Sequence, residues 1–66
     1  MNFTCKVIVA PLRAEPSHKA EMVSQILFGE SVLQINQQQD WLKVICSNDD
    51  YEGWVELKSL HVNENI

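Results

Sequence analysis

Gly53 stands inside an apolar and aromatic run, Tyr51-Glu52-Gly53-Trp54-Val55. A glycine in a strand pattern marks a place where another chain segment or side chain comes close to the backbone. Upstream, Trp41-Leu42-Lys43-Val44-Ile45-Cys46 alternates with period two and reads as a strand, with Leu42, Val44 and Cys46 inward. Between the two runs lies Ser47-Asn48-Asp49-Asp50, residues whose side chains bond their own backbone and tolerate tight dihedrals. The expected unit is a hairpin with a tryptophan on each arm, and the rest of the chain must close around it.

The chain has 66 residues, enough for one domain. A chain of this size buries only about 60% of its unfolded surface, which leaves a small core and no cleft between domains. Nine acids face five bases, for a net charge of −4. Lys6, Arg13, Lys19, Lys43 and Lys58 are scattered, whereas a phosphate-tracking surface needs them clustered, so nucleic acid is not an expected partner. The acidic balance suits a small cationic or zwitterionic ligand better. No apolar run is long enough for a membrane-spanning helix, and residues 1–10 lack a basic leader followed by an unbroken apolar run. A cytoplasmic location follows as an expectation, and a monomer is expected.

Residues 3–10 are β-branched and apolar and read as a first strand ended by Pro11. Pro11 and Pro16 make the following stretch a long loop. Residues 20–28 fit both periods: Val23, Ile26 and Leu27 could stripe a helix, and Val23, Gln25 and Leu27 could alternate along a strand. The strand is preferred because a lone short helix would have little to pack on. Gly29-Glu30 is a turn, residues 31–36 a strand, residues 36–40 a polar hairpin loop, residues 56–60 a 3₁₀ turn, and His61-Val62 a last short strand. Residues 63–66 are polar and read as the start of a linker or tail, which puts the domain at residues 1–62. The expected fold is an all-β small barrel of five to six short strands, whose closure removes exposed edges.

The chemistry-bearing residues are few. Cys5, His18, Cys46 and His61 show no pair at zinc-ligand spacing, so no metal and no cofactor is expected. The cysteines read as two free thiols in strands. Cys46 has neither a helix N-terminus nor an adjacent imidazolium to lower its pKa, and Asp49-Asp50 belong to a turn and not a cleft, so no catalytic residue is assigned. Trp41, Tyr51 and Trp54 are the large amphipathic aromatics, suited to sites that are dry at one end and wet at the other. Trp41 and Trp54 read mainly as packing, Tyr51 as part of a groove.

Four segments, Leu12-Arg13-x-Glu15-Pro16-Ser17, Ser24-Gln25-Ile26-Leu27-Phe28-Gly29-Glu30, Asp40-Trp41-x-Lys43-Val44 and Asp50-Tyr51-x-Gly53-Trp54-Val55, resemble the bacterial SH3 (SH3b) domain. More narrowly they are similar to the N-terminal SH3b domain of NlpC/P60-family cysteine peptidases, the γ-D-glutamyl-L-diamino-acid endopeptidases that cut murein peptides. The resemblance implies an SH3-like barrel with a long first (RT-type) loop at residues 12–23. The Asp-Cys-Ser-Gly nucleophile segment of those peptidases is absent, and Ile45-Cys46-Ser47-Asn48 lies inside the SH3b pattern. Asn48-Asp49-Asp50 departs from the Asp-Gly that often precedes the tyrosine, which alters the turn.

By the resemblance this chain is a non-catalytic module, partnered in cis by a C-terminal peptidase domain. It would shape the substrate site and recognise the free N-terminal L-alanine of a murein peptide. The ligand-binding candidates are Tyr51, Glu21, Glu15 and Trp54, with Glu21 favoured over Glu15 as the acceptor of the substrate amine. The competing reading is a stand-alone SH3b module that binds peptidoglycan or a protein peptide. A thiol or metal protein is the third class, and it would require zinc or a disulfide in the purified chain.

Overall fold

A computed structural model describes residues 2–47 and 50–62. Seven strands form one antiparallel sheet: β1 Asn2–Cys5, β2 Val9–Arg13, β3 Met22–Leu27, β4 Ser31–Gln38, β5 Trp41–Cys46, β6 Glu52–Glu56 and β7 Leu60–Val62. A 3₁₀ turn, Leu57–Ser59, joins β6 to β7. The strand order is β3-β2-β6-β5-β4-β1-β7. This is the all-β, SH3-like architecture expected, with the long loop between β2 and β3.

The first apolar run is two strands and not one. β1 buries Phe3 and Cys5, whereas β2 buries Ala10 and Leu12. The buried positions switch from odd to even numbers, and a single period-two strand cannot do that. The chain bends at residues 6–8, where the Lys6 amide donates to the Ser59 carbonyl at 3.0 Å and the Ile8 carbonyl accepts from the Phe28 amide at 3.0 Å.

Pro11 does not end this run but lies within β2, opposite Gln25. The geometry explains why. The Leu27 amide is taken by Glu30 Oε1 at 2.7 Å, so the Val9↔Leu27 pair exchanges no ladder bond. Antiparallel pairs alternate, so Pro11↔Gln25 is also a non-hydrogen-bonded pair and the missing N–H costs nothing on that side. On its other side β2 meets β6 only at Arg13↔Trp54, leaving Pro11 with no ladder to interrupt.

Residues 20–28 hold the preferred strand. In β3, Ile26 is fully buried while Gln25 and Leu27 are exposed, the alternation of a sheet. The polar loop expected at 36–40 shrinks to Gln39-Asp40, because Gln37 and Gln38 extend β4 opposite Leu42 and Trp41. Gln39 adopts φ 54°, the left-handed conformation a two-residue hairpin turn requires. The register slips between Gln34 and Asn36, so Ile35 is bulged, and it is the Val32 side of β4 that faces the core. Of the acidic turn, Asn48 and Asp49 lie outside the described residues, as do residues 63–66, the expected linker or tail. The hairpin is closed around that turn by the Cys46 amide donating to the Tyr51 carbonyl at 2.9 Å.

Among the described residues, β3 and β7 are the two ends of the strand order. The sheet curls enough for the β3–β4 turn to reach β1, with Gly29 N donating to Cys5 O and Cys5 N to Glu30 O, both at 2.9 Å. The β3 edge is blunted locally, since Glu30 occupies both the amide and, through its own N–H at 3.0 Å, the carbonyl of Leu27. The core is the concave face, where Leu42 and Val44 of β5 meet Leu12, Ile26, Val32 and Val55. Val44 is fully buried there. Val44→Ala is expected to lower stability by about 1–3 kcal/mol through lost burial and residual cavity, read as a shift of the urea midpoint. An unchanged midpoint would mean β5 turns its other face inward.

Candidate functional site

Because Leu42, Val44, Gly53 and Val55 point inward, Trp41, Lys43, Ile45, Glu52, Trp54 and Glu56 share the outer face of the β5–β6 hairpin. The register sets Trp41 opposite Glu56 and Lys43 opposite Trp54. Lys43 Nζ lies 3.9 Å from Glu52 Oε1 on the same face. The row continues past Trp54 to Arg13 of β2.

Arg13 connects this face to the long loop, since its Nη1 donates to the Ala20 carbonyl at 2.9 Å. The Ala14 amide donates to the Glu21 carbonyl at 2.9 Å and closes the loop's base. At the tip, Ala20 N donates to Ser17 O and Lys19 N to Ser17 Oγ, both at 3.1 Å, which folds the tip into a compact turn. That turn carries His18 to the outer face. His18 Nε2 lies 3.3 Å from Glu56 Oε2, and its ring meets Trp41 edge-on with centroids 5.1 Å apart and planes at 69°. Lys58 Nζ is 3.7 Å from the same Glu56 oxygen. Beside Glu56 opens a hollow of about 420 Å³ lined by Asp40, Glu56, Leu57 and Lys58.

Glu15 and Glu21 are both exposed and flank the loop base. Among the described residues, neither carboxylate makes a hydrogen bond or ion pair. Tyr51 is exposed just before β6, and Trp54 is half-buried three residues on, across from Arg13. The loop base and β6 are thus tied at Arg13↔Trp54, with Glu21 and Tyr51 on the two segments so joined. The most closely knit cluster on this face is a different one: His18, Trp41 and Glu56. The sequence alone gives His18 no ligand partner at zinc spacing and assigns Trp41 mainly to packing. The one available signal was Trp41 at the first position of a strand following a polar turn, outside the buried alternation of Leu42 and Val44.

Cys5 is buried and Cys46 half-buried. Among the described residues no group of three or more His, Cys, Asp or Glu is gathered to hold a metal ion. No described helix is long and apolar enough to cross a membrane.

Comparison with curated proteins and with solved structures gives no match. Comparison with protein families does: residues 12–60 match the family described as the bacterial dipeptidyl-peptidase SH3 domain. The matched span runs from the start of the long loop through β6 and the 3₁₀ turn to Leu60, so it contains the whole outer face described above. Such an SH3b domain is a non-catalytic module. With most of its length matched and the SH3-like sheet in place, this chain belongs to the bacterial dipeptidyl-peptidase SH3 domain family.

Proposed function

We propose that this SH3b module serves a peptidase domain in the same polypeptide, of the NlpC/P60 cysteine type, by walling its substrate site and binding the free N-terminal L-alanine of a murein peptide. The observation that carries the reading is the match to a dipeptidyl-peptidase SH3 family. A dipeptidyl peptidase counts two residues from a free amino terminus, so something near its active site must bind an ammonium and block longer chains. A charge-assisted bond from that ammonium to a carboxylate fixes the peptide end more firmly than a neutral one. A rigid barrel beside the site rejects glycan-linked peptides by collision.

Glu21, at the return leg of the loop, is the proposed amine acceptor, with Glu15 across the loop base as the alternative. Tyr51 supplies a hydroxyl and a ring edge, and Trp54 the apolar wall between them. The availability of the Glu21 carboxylate, which no described side chain engages, supports this role.

In the full-length enzyme, Glu21→Gln and Tyr51→Phe should each lower kcat/KM for a free-amine murein tripeptide, with the charged contact contributing about 1.5–3 kcal/mol. The N-acetylated tripeptide should be a poor substrate for the parent and indifferent to Glu21→Gln. Variants that process both peptides as the parent does would remove the assignment.

A further inference from the structure

Glu56 has features that its place in the sheet does not require. Its side chain is only 26% exposed, and its Oε2 receives both His18 and Lys58. Next to it stand an aromatic wall, Trp41, and a hollow of about 420 Å³ with a second acid, Asp40, an apolar side, Leu57, and the exposed Lys58, whose own alkylammonium already rests 3.7 Å from Glu56. A volume of that size, part apolar with a few convergent polar groups, is in the range of small-ligand sites. A carboxylate beside an indole suits one ligand group above others: a cation on an aliphatic stem. The charge is held by the acid and by the ring, and the stem lies on the apolar wall.

In the free protein that seat is occupied from within. His18 presents its Nε2 to the carboxylate and its ring to the indole. Its hold is weak, because the side chain is 67% exposed and surface contacts of this kind contribute little. The loop is built to let it go. The base is clamped by Ala14 N to Glu21 O and by Arg13 Nη1 to Ala20 O. Among the described residues the tip's hydrogen bonds are internal, through Ser17, so once His18 leaves Glu56 and Trp41 the tip can swing out without breaking a ladder bond.

We propose that Glu56, Trp41 and Asp40 form a seat for an alkylammonium group, such as a lysine-type side chain, and that His18 is an internal stand-in which the ligand displaces. The seat is separate from the loop-base site: it takes a side-chain ammonium with its stem, not an N-terminal amine, and it shares no residue with Glu21, Glu15 or Tyr51.

The consequence is that removing the stand-in strengthens binding. A protein whose competent state is only partly populated binds with an affinity reduced by that fraction, and freeing the seat restores it. The test titrates the 66-residue chain with Nα-acetyl-lysine N-methylamide while following the Trp41 indole N–H and the His18 ring signals by NMR. Saturable shifts of both are expected, with Kd in the millimolar range typical of one small charged contact (about 1 mM corresponds to −4.1 kcal/mol). His18→Ala should tighten binding by about three-fold or more, which a purely structural role for His18 would not do. Glu56→Gln should abolish the saturable shift. The ε-acetylated probe should fail with the parent protein, which tests the charge requirement even if Glu56→Gln perturbs folding. Alanine N-methylamide, an α-ammonium without a stem, should leave Trp41 unmoved. Binding that is unchanged or weaker in His18→Ala, equal shifts from the ε-acetylated probe, or equal shifts from alanine N-methylamide would each overturn the proposal.

Discussion

Gly53→Ala is expected to destabilise the domain by about 1–3 kcal/mol or more, the range for overpacking a tight core. A Cβ at Gly53 would fall 2.5 Å from Leu12 Cγ, 3.0 Å from Leu12 Cδ2 and 3.1 Å from the Arg13 carbonyl oxygen. Neither neighbour yields readily. Leu12 is fully buried, with core on its other sides, and the Arg13 carbonyl belongs to the backbone where β2 meets β6. The strain therefore falls on the Arg13↔Trp54 bridge, where β2 of the long-loop hairpin pairs with β6. Urea unfolding should show a lowered midpoint with Gly53→Ala, and a larger drop with Gly53→Val. Because Leu12 is the near partner, Gly53→Ala and Leu12→Ala should be non-additive, the smaller leucine substitute making room for the new methyl. Strictly additive losses would mean that the clash is relieved elsewhere. The same substitution should disturb the outer face, since Trp54 follows Gly53 directly.

Ile26→Ala is expected to cost about 2–5 kcal/mol, while Leu27→Ser, one residue on, should change stability little. Ile26 is fully buried and Leu27 is 47% exposed. Small domains have total stabilities on the order of 5 kcal/mol, so Ile26→Ala should leave a large unfolded fraction at room temperature. The contrast between adjacent residues distinguishes a strand from a helix here: a helix stripe through Val23, Ile26 and Leu27 would make both substitutions costly. Equal losses at Ile26 and Leu27 in thermal or urea unfolding would refute β3 as described. The expected outcome also bears on the loop, because β3 is its return leg and carries Glu21 at its threshold.

Much of the central hairpin was legible from local rules. Trp41–Cys46 and Glu52–Glu56 follow from period-two alternation either side of a turn-forming stretch. The close approach at Gly53 followed from glycine in a strand, although the identity of the approaching residue, Leu12, did not. The first run was harder. Residues 3–12 are apolar at nearly every position, so the switch of buried parity between Cys5 and Ala10 leaves no trace in the pattern. Pro11 read as a stop because proline lacks a donor, and only the pairing shows that no donor was wanted there. Gln37 and Gln38 read as loop because they are polar, yet an exposed hairpin tip can be polar and still paired.

The candidate sites divide in the same way. Glu15, Glu21, Tyr51 and Trp54 were named through family resemblance, and the fold places them on two segments joined at Arg13↔Trp54. The cluster of His18, Trp41 and Glu56 could not be read in advance. Strand type, turn positions and the need for a close contact at Gly53 are local properties, written in residue order by side-chain period and backbone preference. Which face of a strand is buried, whether a proline lies on a paired side, and where a loop tip lands are decided by partners distant in sequence. Those partners exist only once the sheet has curled and the loop has folded over it, because hydrophobic burial rewards contact area without regard to sequence order.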